Sequence, residues 1–343
     1  MELPRKILIG DGVMKDLGNF VADLGVRKVA VVSGAVVKAR AGDQCHESLA
    51  KSDLKDTWFL ASAANMEVVD VVRKEIMENG SDAIIGFGGG KSVDVAKTIA
   101  YNLNKPFVSV PTSASHDGIS SPFSSIKGRD KPYSIKTKAP IGVLADTNII
   151  AGAPRRLLAA GCGDLMAKVT AVKDWELARD EKGEYFGKYA SNLASMSAKI
   201  VMEESKLIGA GNGASVRTVV EALISSGVAA CIAGSSRPCS GAEHLFSHAL
   251  DFIAPNKGLH GEKCGIGAIM MAKLHDVEWE QIASTLKDIG APTTAKDIGI
   301  DADTVVKALI TASTLRPERY TILNKISLKE QDAFELAKST GVI

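Results

Sequence analysis

Aromatic side chains make up only 5% of this 343-residue chain, which leaves little stacking material for a single-stranded nucleic acid. Surplus charge is also missing. Lys and Arg number 41 against 40 Asp and Glu, for a net charge of +1. Such balance gives no bulk attraction for nucleic acid or an anionic bilayer, and neither is expected as a partner. Cysteine is sparse: the 5 residues fall at 45, 162, 231, 239 and 264 without a C-x-x-C pair. An odd, scattered set argues against a disulfide framework and for a reducing compartment. Long apolar runs are absent as well. The opening MELPRKILIG lacks the apolar core of a secretory leader. No stretch approaches the ~20 apolar residues that span a bilayer. The longest, around Val219–Ala233, is broken by Glu221, Ser225, Ser226 and Gly227. A soluble cytoplasmic protein without membrane insertion is expected.

What is present reads as an ordinary globular composition, 45% hydrophobic and 24% charged, in a chain long enough for two domains. The first 150 or so residues alternate β-rich runs with helical patterns. Strands are expected at Arg5–Ile9, Lys28–Ser33, Thr57–Leu60, Ala83–Phe87, Phe107–Val110 and Ile141–Ala145. Helices are expected at Met14–Leu24, Val36–Ala50, Met66–Asn79 and Ser92–Leu103. That rhythm predicts a parallel sheet with helices on both faces. Between Ser113 and Asp146, alternating runs at Phe123–Ile126 and Tyr133–Lys136 predict a hairpin flap. After Pro154 the β signal ends and helical periods continue to the C-terminus. The boundary is placed near residue 150, giving domains 1–150 and 151–343.

Ala83–Asp94 reads strand, glycine turn, helix. Gly88, Gly89 and Gly90 let the backbone approach a ligand that side chains would block. The helix that follows points free N–H groups and its positive dipole end at that ligand, which favours a phosphate. Ser92 is a candidate cap. Two familiar motifs fail here. A Walker A loop needs four residues between its first glycine and Gly-Lys-Ser, and only three lie between Gly86 and Gly90. The dinucleotide G-x-G-x-x-G would need glycine where Lys91 stands. At the next junction, Val108–Asp117 (VSVPTSASHD) packs hydroxyls directly after a strand, and ligands of open α/β sheets bind beyond the carboxyl ends of strands.

Ser240–His260 (SGAEHLFSHALDFIAPNKGLH) holds three of the 6 histidines. His244 and His248 are four apart and share a helix face; His260 follows a Pro-Asn-Lys-Gly break. Imidazole is the commonest metal ligand near neutral pH, though such a pair also serves in cores and on surfaces. Asp164, in GCGD, is open between metal ligand and helix cap. His46 and His116 are read as non-ligands, and His275 as part of a polar helical surface.

Taken together, the GGG-[KR]-x-x-D turn, the Pro-Thr-Ser strand exit, an aspartate early in an all-helical half and two later histidines resemble the superfamily of iron-containing alcohol dehydrogenase, glycerol dehydrogenase and dehydroquinate synthase. PTSASHDGISSPFSS, AGCGDLMAK, SGAEHLFSHALD and GLHGEKCGIG are similar to landmarks of its sn-glycerol-1-phosphate dehydrogenase branch, in order and over nearly the whole chain. The resemblance implies the dehydroquinate synthase-like fold: a Rossmann-like parallel-sheet α/β domain, then an all-α domain. It implies NAD and NADP as cofactors, with Gly90, Lys91, Ser92, Val93 and Asp94 at the pyrophosphate. Thr112, Ser113, Ala114 and Ser115 would line the same cofactor, and Ser121 its nicotinamide side. One Zn2+ per subunit would be held by Asp164, His244 and His260; with His248 these would form the catalytic centre. Asp117, Asp164 and His248 would bind substrate. The implied reaction interconverts dihydroxyacetone phosphate and sn-glycerol 1-phosphate, for ether phospholipid synthesis as in archaea, by a homo-oligomer. Zinc would polarise the carbonyl, with His248 and Asp117 the first side chains to consider for moving the proton.

Other readings remain open. Glycerol dehydrogenase shares the fold, metal and cofactor; a dehydroquinate-synthase-like lyase uses NAD only transiently; a silent binding subunit would keep the ligands without turnover. No acid follows the strand Lys28–Ser33 until Asp43, while Lys38 and Arg40 lie nearby, so NADP is expected beside NAD. For the substrate phosphate, Arg129, Lys136, Arg237 and Lys257 are equal candidates.

Overall fold

Runs such as Val29–Val32 and Ala83–Ile85 present no polar face to water, so strands built from them need cover on both sides. The computed structural model, which describes residues 2–128, 132–211 and 213–343, supplies it. The chain divides into two compact units, Met1–Ala114 with Gly118–Pro154, and Ser115–Asp117 with Arg155–Ile343.

The first unit contains β1 (Lys6–Gly10), α1 (Leu17–Ala22), β2 (Lys28–Ser33), α2 (Ala35–Ala50), β3 (Lys55–Leu60), α3 (Met66–Asn79), β4 (Ala83–Gly88), α4 (Gly90–Asn102), β5 (Phe107–Pro111), β6 (Phe123–Lys127), β7 (Pro132–Lys136), β8 (Gly142–Asp146) and α5 (Thr147–Ala151). Six strands form one parallel sheet in the order β1-β8-β5-β4-β2-β3. Strand alternation sorts the core into two layers. Val29, Val31, Ile85 and Phe87 pack with Leu17, Cys45 and Leu49 on one face. Ala30, Val32 and Ile84 pack with Val69, Ile76 and Ile99 on the other. The expected hairpin forms as the antiparallel pair β6–β7. Arg129 lies outside the described residues.

Three expected elements differ, the simplest being β3, which begins at Lys55 rather than Thr57. In place of one helix over Met14–Leu24 there is a 3-10 turn, Val13–Asp16, followed by α1. The Asp146 carboxylate accepts from the amides of Gly12 and Met14 at 3.2 and 2.8 Å, which fixes the turn's entry. Helix α4 begins at Gly90, two residues before the expected start. Extended Gly89 is its N-cap, so Ser92 lies inside the first turn and does not cap.

The second unit is helical: α6 (Arg155–Lys182), α7 (Lys188–Glu203), α8 (Ser205–Ala210), α9 (Gly213–Ala233), α10 (Ala242–Ile253), α11 (His260–Leu274), α12 (Trp279–Ile289), α13 (Ala302–Leu315), α14 (Ile322–Ile326) and α15 (Glu330–Ser339). By length and mean hydropathy alone α9 is long and apolar enough to cross a membrane, but 61% of its apolar window is buried inside the protein. Core packing accounts for its apolarity. All 5 cysteines are free and buried.

Helices α6 and α11 approach closely because both carry glycine at the contact. A methyl group on Gly261 would fall 1.8 Å from the carbonyl oxygen of Ala160. That approach brings Asp164, one position past Gly163, level with the first turn of α11.

Candidate active site

In the first unit the strand order reverses at β2 and β4: β2 lies between β3 and β4, and the chain runs outward on either side. The carboxyl ends of the two strands flanking such a switch form a ligand crevice. The turn after β4 places Gly88 at φ 153°, a conformation L side chains rarely adopt, and a Cβ there would meet Ser92 Oγ at 2.7 Å. Thr112 donates its amide to the Gly88 carbonyl at 2.9 Å, tying the β5 exit to the glycine turn. Ser113 Oγ would lie 3.1 Å from a Cβ on Gly89; it is buried without a hydrogen-bond partner among the described residues. An unsatisfied hydroxyl and a helix N-terminus facing a side-chain-free turn fit a pyrophosphate. At the end of β2, Gly34 lies 3.9 Å from Ser92 Oγ, measured from its would-be Cβ.

The other residues expected here have diverse placements. Val93 belongs to the core layer, so only its backbone faces a ligand. Asp94 is buried, accepts the Ser125 amide at 3.0 Å and stands 3.5 Å from Lys97 Nζ. Lys91 donates to the Ser62 carbonyl at 3.0 Å. Ala114 and Ser121 are buried.

In the second unit, Asp164, His244, His260 and Cys264 each offer a ligand atom, all within 4.8 Å of one another. Asp164 comes from α6, His244 from α10, and the other two from α11. Asp164 Oδ1 stands 3.4 Å from His244 Nε2. His244 Nδ1 is 2.8 Å from Glu243 Oε1. Glu243 is itself fixed: its other oxygen accepts from Thr170 Oγ1 at 2.8 Å, and Oε1 also accepts the Gly241 amide at 2.6 Å. A carboxylate on Nδ1 leaves Nε2 aimed at the cluster, the arrangement that orients metal-binding histidines. His260 Nδ1 is 3.3 Å from Ser247 Oγ.

Asp164 has further partners. Its Oδ2 accepts the Asp117 amide at 2.9 Å, and Oδ1 accepts from Lys168 Nζ at 3.0 Å. Lys168 is fully buried and also meets Asp117 Oδ2 at 2.8 Å and the Cys239 carbonyl at 3.2 Å. Ser226 Oγ donates to the same Asp117 oxygen at 3.1 Å. One ammonium therefore bridges the two carboxylates expected to hold metal and substrate.

Electrostatics follow from this packing. Burial opposes charge on Asp164, but the Lys168 ammonium and then His244 outweigh it and hold the carboxyl well below the ordinary range. Burial likewise opposes charge on Lys168, which Asp117 and Asp164 hold well above its usual value. His244 is held well above its ordinary value against burial, by the Cys264 sulfur and the Asp164 and Glu243 carboxylates. Burial and the neighbouring His244 charge push His260 well below. His248 is pushed down to about 3 by burial, then by His244, Arg316, Lys263 and Arg319. Its Nδ1 is buried with no hydrogen-bond partner among the described residues, and its ring lies 6.1 Å from that of His260. A neutral imidazole with an unsatisfied nitrogen beside the cluster suits a ligand contact.

One carboxylate and two imidazoles converging in a buried site are the donors a catalytic divalent metal takes, and the residues fit that group. Lys168, Glu243 and Cys264 were given no role in the sequence reading. Lys168 and Cys264 each stand four positions after a site residue on the same helix, a spacing too common to single them out; Glu243, adjacent to His244, lacks even that. His275 is not on a polar surface. Its Nε2 is 2.9 Å from the buried Asp174 Oδ1, which also accepts the Ile322 amide at 2.6 Å. Among the phosphate candidates, Arg237 is engaged elsewhere: its Nε donates to Glu184 at 2.7 Å.

The sequence pattern of iron-containing alcohol dehydrogenase matches residues 8–154. The chain is 57% identical to glycerol-1-phosphate dehydrogenase (NAD(P)+) of Cenarchaeum symbiosum, over 100% of this chain and 96% of that protein. It is 54% identical to the protein of the same name from Nitrosopumilus maritimus, over 100% and 97%. In fold it is similar to the crystal structure of glycerol dehydrogenase from Schizosaccharomyces pombe, with a TM-score of 0.83, 22% identity, and coverage of 99% of this chain and 89% of that one.

Proposed function

The chain belongs to the glycerol-1-phosphate dehydrogenases of the iron-containing alcohol dehydrogenase family, and from that premise we propose that it reversibly reduces dihydroxyacetone phosphate to sn-glycerol 1-phosphate with NADH or NADPH. The observation that carries the reading is the meeting of Asp164, His244 and His260 donor atoms within 4.8 Å in a buried cluster. The proposed metal is one zinc per subunit. When bound, zinc supplies Lewis acidity to the carbonyl oxygen and NAD(P)H supplies the hydride.

The chain's own residues do the rest. Residues 1–150 carry the dinucleotide: Gly90, Lys91, Ser92, Val93 and Asp94 form the turn and helix start at the pyrophosphate, where the backbone amides are the binding groups. Thr112 to Ser115 and Ser121 line the same cofactor. Residues 151–343, with Asp117 packed among them, carry metal and substrate. Lys168 keeps Asp164 ionised and holds Asp117 in place. Glu243 holds the His244 ring. His248, neutral with an unpartnered Nδ1, is placed to contact the substrate through a hydrogen bond. A lysine–carboxylate frame built on buried Lys168 and Asp164 needs no reorganisation when charge develops on the carbonyl oxygen.

Ether phospholipid synthesis is the role that product serves. A cytoplasmic location fits the free cysteines. Assembly as a homo-oligomer fits large exposed side chains on the helical unit, with Tyr185 70% and Tyr189 72% accessible. The test is cofactor oxidation with dihydroxyacetone phosphate against unphosphorylated dihydroxyacetone. A preference of at least ~100-fold for the phosphorylated substrate is expected. Equal use of both would assign glycerol dehydrogenase activity, and no net cofactor turnover would favour a lyase or a silent subunit.

A further inference from the structure

We infer that Cys264 is a fourth protein ligand, binding the metal through its thiolate while no substrate is present. The inference rests on the metal site proposed above, to which it adds a residue. Around a tetrahedral zinc with Zn–N and Zn–O of about 2.1 Å and Zn–S of about 2.3 Å, an O–N edge spans about 3.4 Å and an N–S edge about 3.6 Å. Asp164 Oδ1 and His244 Nε2 are 3.4 Å apart. His260 Nε2 and Cys264 Sγ are 3.6 Å apart. These two edges share no atom, so together they name all four corners of one tetrahedron. Each of the four residues also offers a ligand atom within 4.8 Å of those of the other three, so no corner is remote from the rest.

Local structure explains the placement. His260 opens α11 and Cys264 follows four residues later, so both side chains rise from one helix face. Gly261 and Gly265 flank that face on the side of α6. A Cβ on Gly265 would touch the Gly163 Cα at 3.2 Å, so the cysteine turn is held against the turn that carries Asp164. Cys264 is fully buried. The other four cysteines are buried too, but among the described residues only Cys264 joins a metal-competent cluster. On binding, the S–H bond breaks, its proton leaves to solvent and the sulfur lone pair forms the metal bond; no electron is transferred. A thiolate among the donors also biases the site toward zinc over harder ions such as magnesium.

The test is spectroscopic and uses the full chain. Cobalt(II) replaces the metal, and absorption is read without substrate. Visible ligand-field bands of a low-symmetry site, together with a near-ultraviolet sulfur-to-cobalt charge-transfer band, are expected. Cys264→Ser and Cys264→Ala should lose the charge-transfer band, keep the visible bands, and release zinc to a chelator at least ~10-fold more readily. Visible bands without the charge-transfer band in the unaltered protein overturn the inference and leave the three-ligand site standing. Persistence of the band in Cys264→Ala also overturns it. Absence of any cobalt binding overturns this inference and the metal reading together. Zinc-edge X-ray absorption on the unaltered protein gives the same answer without a variant: one sulfur neighbour at about 2.3 Å supports the inference, and none refutes it.

Discussion

Gly163 on α6 and Gly261 on α11 stand so close that a methyl group on Gly163 would fall 2.3 Å from the Gly261 carbonyl oxygen. Next along each helix lie the two residues that most need to meet: Asp164 follows Gly163, and His260 precedes Gly261. The backbone contact sets the spacing of a carboxylate and an imidazole from different helices. Gly163→Ala forces the helices apart, because the neighbour is backbone and cannot swing away. A stability loss of about 1–3 kcal/mol is expected, with reduced metal retention after dialysis. Thermal unfolding and metal analysis check it, and an unchanged Tm with full metal content would contradict the close-contact account.

Removing a metal donor separates chemistry from folding. His260 contributes little to the core and its pKa is depressed by burial, so His260→Ala relieves a polar burial while deleting a ligand. Turnover is expected to fall by at least about 10³-fold with far-ultraviolet circular dichroism unchanged. Near wild-type activity in a verified metal-free variant would sink the ligand assignment.

The proposed cofactor site puts the choice between NAD and NADP at the end of β2. Gly34 takes the position where NAD-specific folds place an acid against the ribose hydroxyls, and it stands next to the start of α4. Gly34→Asp is expected to raise KM for NADPH by about 10-fold or more through charge repulsion, with a smaller effect on NADH. Steady-state kinetics with both cofactors decide it; equal loss for the two would show that Gly34 serves only the turn.

His248 links the site to acid stability. Its folded value is pushed down to about 3 from 6.5. A base depressed on folding stabilises the native state above the unfolded value, and that contribution is lost as pH falls below it. Metal-free protein should therefore lose stability from about pH 6.5 toward pH 3, and His248→Gln should show a flatter acid limb. Urea midpoints measured across that window test this, and parallel curves for the two proteins would contradict it.

Much of the molecule was legible beforehand for definite reasons. Lys28–Ser33 and Met66–Asn79 formed with the expected bounds because an apolar run of strand length and a capped amphipathic period each admit one structure. Gly80 sits at φ 72°, as a helix-ending glycine should. The structure brings Asp164, His244 and His260 into one cluster, but their roles came from the family resemblance, because histidine spacing alone left metal, core and surface readings open. Lys168 and Cys264 could not be weighed in the same way, because a lysine and a cysteine in a helix are ordinary until the packing buries them against Asp164 and His260. His275 was misread for a related reason: its neighbours in sequence are polar, but its partner Asp174 lies about a hundred residues upstream. Such long-range pairing is invisible to local pattern.

The central claim is tested most directly by the handedness of the product. Dihydroxyacetone phosphate is reduced with NADH by the zinc-loaded protein, and the glycerol phosphate formed is assayed with an enantiomer-specific enzyme. The account predicts sn-glycerol 1-phosphate alone. Formation of sn-glycerol 3-phosphate, or of a racemic mixture, would contradict it.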